Sequence, residues 1–494
     1  MSEKAKGAES QMSYIRGSER GQHLLFPSTL DEYLDEANPV RVIAAFVGTL
    51  DFQQLGFVRG VAAETGRPGY DPRLLLGLYI WGHLNKVRSS RKLERECGRN
   101  LEAMWLLENL RPDFKTIADF RKDNGEPIKQ TVVKFRLWCL SEGLYGREMV
   151  AVDGSKFKAV NNSERNYTRK KLERVIERER ARVDEYLKAI EEADQEDAKG
   201  PPESPLSGEQ LREKLRKLKE QMTKHEQLQQ GLKESGESQV SLTDSDARLM
   251  KTSKGSDVSY NVQTVVDSKH KLIAAYEVTN DGNDQGQLAK MAKQGQQALG
   301  VKQVTVLADG GYFDGNTIKE CEDAGITTYL PVPPASAVTQ HGVFPAAQFS
   351  YDQERDLYVC PQGAELTFRG WTTARKKKYG IYRTNACGSC PLRSQCTTSK
   401  GHGRRLKRWV HQAVSDRLKE RIRGQPELLK ERKKLAEHPF GTIKRAMDQG
   451  YFLMKGIKQV TTETSFTVLA YNLKRVINIM GVDQMITSMQ AATT

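Results

Sequence analysis

Apolar and polar positions divide the chain into a helical first part and a mixed second part. Between residues 28 and 145, apolar residues recur at intervals of three and four, which is the period of an amphipathic helix. The helices predicted from this period cover residues 39–50, 71–86, 89–99 and 115–140. Ser89 stands where an N-cap belongs, and Pro72 occupies a first-turn position. The helix that begins near Pro72 is apolar around most of its circumference, which predicts that it is buried.

From Met149 onward the pattern changes to short apolar runs that alternate with helical segments. The predicted strands cover residues 149–155, 258–267, 271–278, 303–308 and 326–331. The predicted helices cover residues 285–299, 316–324 and a last zone over 412–481, broken near Gly450 and Gly456. The turn at Ser268–Lys269 predicts a hairpin between the second and third strands. Strands and helices in this order indicate a mixed α/β fold.

Two inserts interrupt the α/β pattern. The first, residues 168–236, has apolar residues at spacings of three and four on both sides of a proline-rich turn at 200–205. This arrangement predicts an antiparallel coiled-coil hairpin, and a solvated spacer is the alternative, because charges dominate the other faces. The second insert, residues 332–409, contains four of the seven cysteines.

The charge of the chain is concentrated in this second insert. The formal net charge is +14, and residues 369–408 contain twelve Lys and Arg but no Asp or Glu. Clustered cations favour a polyanion such as nucleic acid, because phosphate contacts release counterions. A solubilising surface is the alternative, although such surfaces usually mix both signs.

A short basic helix in the first part is a second candidate for DNA contact. It carries Arg88, Arg91, Lys92 and Arg95 among short helices, as in a helix-turn-helix. A helical bundle with one charged face has the same pattern, so the residues alone leave both interpretations open.

Membrane and secreted classes are not expected. No run approaches the roughly 18 consecutive apolar residues of a membrane span. The first 21 residues have no apolar segment of the kind found in secretory signals. Seven cysteines are an odd number, which argues against a disulfide framework and favours a reducing cytoplasm.

Two aspartates close apolar strands at positions suited to a metal site. Asp153 and Asp309 each follow such a run and precede glycine. Functional groups of α/β folds gather at the carboxyl ends of strands, and several converging oxygens there would bind a divalent cation. Glu437, in the late helical zone, is the best candidate for a third acid. Each Asp alone is more often a turn former or a helix cap, so the set carries the prediction.

At these motifs the sequence resembles the DDE transposases of bacterial insertion sequences, whose catalytic domain has a ribonuclease H-like fold. Residues 150–155 resemble the strand of the first acid, and residues 307–312 resemble the motif of the second acid. Glu437, followed seven residues later by Lys444, resembles the third acid and its basic partner. The family has an aromatic residue and an arginine seven and four residues before the glutamate. This chain has Lys430 and Lys433 there, with Arg432 one place off.

The resemblance implies a DNA transposase. Asp153, Asp309 and Glu437 would bind two Mg²⁺ ions, which Mn²⁺ can replace, for phosphodiester cleavage at the element ends and strand transfer into target DNA. The implied partner is double-stranded DNA, both terminal inverted repeats and target, bound by a homodimer or a higher oligomer. Lys444 would hold a phosphate, and an ordinary surface lysine is the alternative. Asp284, in the loop after the hairpin, is the reserve third acid.

Two other functions stay open at this point. A metal-dependent nuclease or junction resolvase of the same fold would cut DNA without joining ends. A DNA-binding protein with a retired active site would do neither, although the presence of all three acids argues against it.

The cysteines of the basic insert form a second candidate metal site. Cys360, Cys387, Cys390 and Cys396 include a CxxC core, which matches a structural tetrahedral Zn²⁺ site better than a redox pair. His402 or His411 could replace one cysteine. The other cysteines, Cys97, Cys139 and Cys321, lie in helical patterns and are expected to be buried apolar residues.

The sequence thus predicts an α/β protein with a helical N-terminal domain and two inserts, and the resemblance implies that its core is ribonuclease H-like. The expected segments are 1–146 (helical, DNA-binding), 147–167, 237–331 and 410–494 (catalytic core and C-terminal helices), 168–236 (coiled-coil hairpin) and 332–409 (basic insert with the four-cysteine cluster). The residues expected to contact DNA are Arg88, Arg91, Lys92, Arg95, Lys376, Lys377, Lys378, Arg404, Arg405, Lys407, Arg408 and Lys444.

Overall fold

The computed structural model describes residues 29–491 apart from 61–68, 162, 198–207, 253–254, 334–342, 375–376, 400 and 402. Its first part is helical, as predicted. The helices are α1 (Pro39–Gly48), α2 (Pro72–Leu84), α3 (Ser90–Glu96), α4 (Leu101–Leu106), α5 (Phe114–Asp123) and α6 (Gly125–Ser141). Asn or Asp side chains accept hydrogen bonds from first-turn amides at the starts of α1, α2, α4 and α5.

The helix predicted over 115–140 is in fact two helices that meet at Asn124. Asn124 Nδ2 donates to the Phe120 carbonyl at 2.8 Å, and its Oδ1 accepts from the amide of Val58 at 2.7 Å. Pro127, which lacks an N–H, then sits in the first turn of α6. The amide side chain therefore ends one helix and anchors a distant loop, a contact that helical periodicity does not reveal.

The α/β part is organised around a mixed sheet, which confirms the α/β class. Its strands are β1 (Met149–Lys158), β4 (Arg248–Thr252), β5 (Gly255–Asp267), β6 (Ile273–Thr279), β7 (Val304–Leu307) and β8 (Ile326–Tyr329). The strand order is β4–β5–β1–β7–β8, and β6 pairs with β5. Strand β1 is antiparallel to β5 and parallel to β7. Strand β7 ends at Leu307, which lies opposite Ala151 within β1.

Helices cover both faces of this sheet. They are α9 (Gln287–Leu299) and α10 (Gly315–Asp323), then α12 (Gln412–Gly424), α13 (Glu427–Gly441) and α14 (Ile457–Met480). The last helix, α15 (Val482–Ala491), packs against α1. A π-helical turn, Thr442–Ala446, continues α13. None of the described helices combines the length and apolar character that crossing a bilayer requires.

Two long helices form the first insert: α7 (Arg169–Asp197) and α8 (Gly208–Glu234). They pack against each other through Val183, Leu215 and Leu218. Short paired strands, β2 (Asn166–Thr168) and β3 (Gln239–Ser241), lie at their base. The proline-rich turn at 200–205 lies outside the described residues.

The second insert contains an antiparallel sheet that the sequence did not predict. Its strands are β9 (Ser350–Asp352), β10 (Leu357–Val359), β11 (Glu365–Ala374), β12 (Lys377–Arg383) and β13 (Arg405–Trp409), and a short helix α11 (Arg393–Cys396) precedes β13. Leu366, Tyr382 and Leu406 are buried together in the core of this sheet, and Tyr382 lies opposite Leu406 on the neighbouring strand. The many intervening Lys and Arg residues hide the period-two alternation of these strands in the sequence.

Helix α2 is buried against α14, as its all-round apolar pattern predicted. Tyr79 and His83 stack on Phe466, with ring centroids 5.0 and 5.1 Å apart. His83 Nδ1 bonds the Tyr79 carbonyl at 2.8 Å. Burial, together with the charges of Arg88 and Arg121, lowers the pKa of His83 to about 3. The imidazole is therefore neutral in the folded protein.

A neutral buried His83 should make the protein sensitive to mild acid. Below pH 6.5 the unfolded chain binds a proton at this residue that the folded chain does not, so stability falls as the pH falls. The loss approaches roughly 1.4 kcal/mol per pH unit well below pH 6.5. Urea unfolding between pH 7 and pH 5 should show a smaller pH dependence for His83→Gln than for the wild type. Equal slopes would contradict this assignment.

Candidate active site

Asp153 lies in the middle of β1, and Asp309 lies two residues beyond the end of the neighbouring parallel strand β7. Ala151 of β1 pairs in register with Leu307 of β7, and both pack against Leu435 and Ala436 of α13. Each aspartate lies two residues further on, which places both on the sheet face that α13 covers. The structure thus brings the first two predicted acids together.

The pKa of Asp153 also reflects its proximity to Asp309. Burial raises the pKa of Asp153 to about 6, nearby Arg432 opposes the shift, and the negative charges of Asp309 and Asp284 add to it. The Asp309 side chain accepts a hydrogen bond from the Gly311 amide at 2.8 Å, which caps the turn Gly310–Tyr312. Two carboxylates held this close without a cation repel each other.

Glu437 lies on α13, but its carboxylate is not against the two aspartates. Its side chain is 62% exposed, and its Oε1 lies 4.0 Å from Lys433 Nζ. The preceding residues, Leu435 and Ala436, are the ones that pack beside Ala151 and Leu307. The helix therefore passes over the predicted site, while the glutamate carboxylate faces solvent.

Two basic residues of the same helical segment approach Asp153. Arg432, which the sequence placed one position off the family pattern, acts electrostatically on Asp153. Lys444 Nζ donates to Ser155 Oγ at 2.6 Å and to the Lys156 carbonyl at 2.7 Å. Burial and the charge of Lys156 lower the pKa of Lys444 to about 8. Lys444 is therefore attached to the strand that carries Asp153 and is not a free surface lysine.

The reserve acid, Asp284, lies on the opposite face of β1 from Asp153. It is hydrogen-bonded by Asn261 Nδ2 at 2.8 Å and Gln263 Nε2 at 2.7 Å, and Lys156 Nζ lies 3.2 Å away. Asn261 and Gln263 are fully buried on β5. The lone pairs of Asp284 are thus largely engaged within the protein. Neither Asn261 nor Gln263 carries a sequence signal that identifies this network.

The four cysteines of the basic insert line one cavity of about 190 Å³. Burial raises the pKa of the Cys396 thiol, and Cys387, Cys360 and Cys390 are close enough to add to the shift. His411 instead packs beside Trp409, with ring centroids 5.2 Å apart, and His402 lies outside the described residues. Cys97, Cys139 and Cys321 are buried, as predicted.

The described residues nevertheless contain no group of three or more His, Cys, Asp or Glu side chains arranged to hold a metal ion. At the acidic site the carboxylate of Glu437 is turned away. At the cysteine site the thiols share a cavity without forming a closed cluster.

The residues predicted to contact DNA differ in how accessible their side chains are to solvent. Exposed or partly exposed ones are Arg91, Lys92, Arg95, Lys378, Arg405 and Lys407. Lys376 lies outside the described residues. Lys377 pairs with Asp314 at 2.9 Å, and Arg408 lies 3.6 Å from the centroid of the Tyr351 ring and pairs with Asp416. These two cations are engaged inside the fold.

The structure contradicts the predicted contact of Arg88 and Arg404 with DNA. Arg404 is buried and donates to the carbonyls of Cys396 and Phe344. Arg88 is 5% exposed and forms an ion pair with Glu463 at 3.1 Å. Both guanidinium groups are enclosed by protein, so neither can meet a phosphate in this fold.

Two parts of the chain match known family models, and both models describe transposase domains. Residues 359–477 match the family model described as a transposase DDE domain, and residues 28–123 match the one described as a transposase domain (DUF772). The first match covers the basic insert from residue 359 onward, α12, α13 and most of α14, including Glu437 and Lys444, whereas Asp153 and Asp309 lie outside it. No curated protein and no solved structure matches the chain significantly.

Proposed function

Because the chain belongs to the DDE transposases of insertion elements, we propose that it cleaves DNA at the element ends and transfers the freed 3′-hydroxyl to target DNA. The observation that carries the proposal is that Asp153 of β1 and Asp309, just beyond the adjacent parallel strand β7, lie at the same level of the sheet under a helix that also carries Glu437. The proposed metal-binding acids are Asp153, Asp309 and Glu437.

The acidic site suits a divalent cation in its donor chemistry. Asp153 and Asp309 offer hard carboxylate oxygens, which Mg²⁺ and Mn²⁺ prefer. The raised pKa of Asp153 reflects burial and negative charge that a cation would offset. When bound, two such ions stabilise the entering and leaving oxygens of an in-line phosphodiester displacement.

The protein's own residues then have distinct tasks. Asp153 on β1 and Asp309 at the turn after β7 would hold the cations. Glu437, on the helix that covers the two aspartates, would supply the third carboxylate. Lys444 and Arg432 bring positive charge beside Asp153, where the scissile phosphate must lie.

We further propose a ribonuclease H-like core for this site, with the segment boundaries given above. Antiparallel β6–β5–β1 followed by parallel β7 and β8 supports this assignment. Exposed cations on α3 and on β12–β13 are proposed to contact the DNA backbone, the first in a helical N-terminal region and the second in the basic insert. Strand transfer would involve two element ends, and hence at least a dimer.

The direct test of the function is cleavage of a duplex that contains the element's own end. We expect nicking at the element boundary in Mg²⁺ or Mn²⁺ and none in EDTA. Binding of the same duplex in EDTA should persist, because the exposed cations do not depend on the metal. Cleavage that is unaffected by EDTA would reject the proposed site.

We also propose that Cys360, Cys387, Cys390 and Cys396 bind one structural Zn²⁺. Their shared cavity supports this proposal, and so does the bend at Gly363, whose amide donates to the Cys360 carbonyl at 2.8 Å with φ at +77°. The small core of this insert, around Leu366, Tyr382 and Leu406, supplies little folding energy by itself. A closed thiolate site would supply the remainder.

Elemental analysis of the tag-free protein should find about one zinc per chain. Cys387→Ser should lose that zinc, whereas the matched control Cys321→Ser, at a buried helical cysteine, should keep it. Rapid alkylation of all four insert cysteines in the native protein would contradict the proposal.

A further inference from the structure

A buried hydrogen-bond chain connects the turn of Asp309 to the strand of Asp153. The Tyr312 hydroxyl donates to Gln263 Oε1, and Gln263 Nε2 donates to Asp284 Oδ1 at 2.7 Å. Tyr312 belongs to the turn that Asp309 caps, and Gln263 lies directly opposite Gly154 in the β1–β5 ladder. Gly154 follows Asp153 and donates its amide to Asp153 Oδ1 at 2.9 Å.

This hydrogen-bond chain can form only because residue 154 is glycine, which has no side chain to occupy the space. A Cβ there would lie 2.1 Å from Gln263 Nε2 and 2.7 Å from Asp284 Oδ1. Gln263 and Asp284 therefore press against the backbone of β1 directly behind Asp153. Lys156, two residues further along the strand, closes the network through its ion pair with Asp284.

We propose that Tyr312 and Gln263 are positioning residues that set the spacing between the carboxylates of Asp153 and Asp309. This inference rests on the proposed function, because it assumes that the two carboxylates share bound cations. Short β7 ends at Leu307, so Asp309 lies beyond the sheet hydrogen bonds that fix Asp153. The Tyr312–Gln263 bond fixes the Asp309 turn to β5, and through the β5 ladder to β1.

This network also accounts for Asp284 without making it a metal ligand. Its carboxylate accepts from Asn261 and Gln263 on the face of β1 away from α13. It holds the Gln263 amide in one orientation, which leaves Gln263 Oε1 to accept from Tyr312. Groups that orient metal ligands from outside typically change metal affinity by about 10–100-fold when they are altered.

Tyr312→Phe tests the proposal, because it removes one hydroxyl and keeps the ring. We expect the full chain to bind Mn²⁺ about 10–100-fold more weakly in calorimetry without DNA. We also expect kcat for end cleavage to fall while KM for the DNA end stays unchanged. Tyr79→Phe is the matched control, since Tyr79 is also fully buried and donates to a carbonyl, that of Ile117, at 2.8 Å. It should bind Mn²⁺ normally.

Gln263→Leu should weaken Mn²⁺ binding in the same way, and Tyr312→Phe decides the question if Gln263→Leu does not fold. Wild-type Mn²⁺ affinity in Tyr312→Phe, together with lost affinity in Asp153→Asn, would overturn the positioning role and leave the proposed function standing. Unchanged Mn²⁺ affinity in both Asp153→Asn and Asp309→Asn would instead reject the proposed function itself.

Discussion

Asp153→Asn should abolish end cleavage while making the metal-free protein more stable. We expect cleavage to fall by about 10³-fold or more, because bound cations supply several kcal/mol of stabilisation to the displacement. Folding raises the pKa of Asp153 from 3.8 to about 6, so the site loses stability as the pH rises through that window. At pH 7.5, removing the charge should raise the free energy of unfolding by roughly 1–3 kcal/mol.

Thermal unfolding in EDTA and in Mg²⁺ measures both effects. The wild type should gain stability from Mg²⁺, because a cation bound only to the folded state stabilises it, and Asp153→Asn should gain much less. DNA-end binding should be unchanged or slightly tighter in the variant, since one negative charge is removed. A variant that is less stable than the wild type in EDTA would show that Asp153 has a favourable partner instead of a repulsive neighbourhood.

The second large effect concerns the buried ion pair between Arg88 and Glu463. Arg88 also donates to the carbonyls of Tyr451 and Asp448, and Glu463 accepts from the amides of Leu453 and Met454. The pair thus ties the helical first part to the loop that leads into α14. Arg88→Met would leave a buried carboxylate without its cation, which typically costs about 3–5 kcal/mol.

Urea unfolding of Arg88→Met should show this loss, and the double variant Arg88→Met/Glu463→Gln should recover part of it. The matched control is Arg73→Met, because Arg73 pairs with Asp71 at 3.1 Å on the surface, and its loss should cost less than about 1 kcal/mol. An Arg88→Met protein with normal stability but weak DNA binding would restore the role that the sequence indicated for Arg88.

Arg88 illustrates what the sequence alone could not provide. In the sequence it belongs to the same basic segment as Arg91 and Lys92, which are more accessible to solvent, but in the structure it lies just before α3 begins. Its partner Glu463 lies 375 residues away, in a helix that is buried on most sides. Periodicity reports only which face of an element is apolar, so the burial of one cation by a distant element is invisible to it.

The two aspartates were accessible to sequence reasoning for a physical reason. Buried parallel strands are continuous apolar runs, so the acids that end two such runs can lie at the same level of the sheet, as Asp153 and Asp309 do. Asp284 could not be assigned in this way. Its role depends on the space above Gly154 and on two polar residues of β5, Asn261 and Gln263, whose contacts only the strand register defines.

Helix α13 presents the carboxylate of Glu437 to solvent, so its role as the third acid is the point that an experiment must decide. The most direct measurement therefore compares end cleavage and end joining by the wild type, Asp309→Asn, Glu437→Gln and Asp284→Asn. Each protein is incubated in Mg²⁺ with the DNA ends that flank its own gene and with a target plasmid, and DNA binding is measured in parallel.

We expect that the wild type cuts and joins, that Asp309→Asn and Glu437→Gln bind the ends without cutting, and that Asp284→Asn retains measurable cleavage. A wild-type protein that cuts but never joins a 3′-hydroxyl would make it a nuclease. Near-normal cleavage by Glu437→Gln, with none by Asp284→Asn, would contradict the assignment of the third acid.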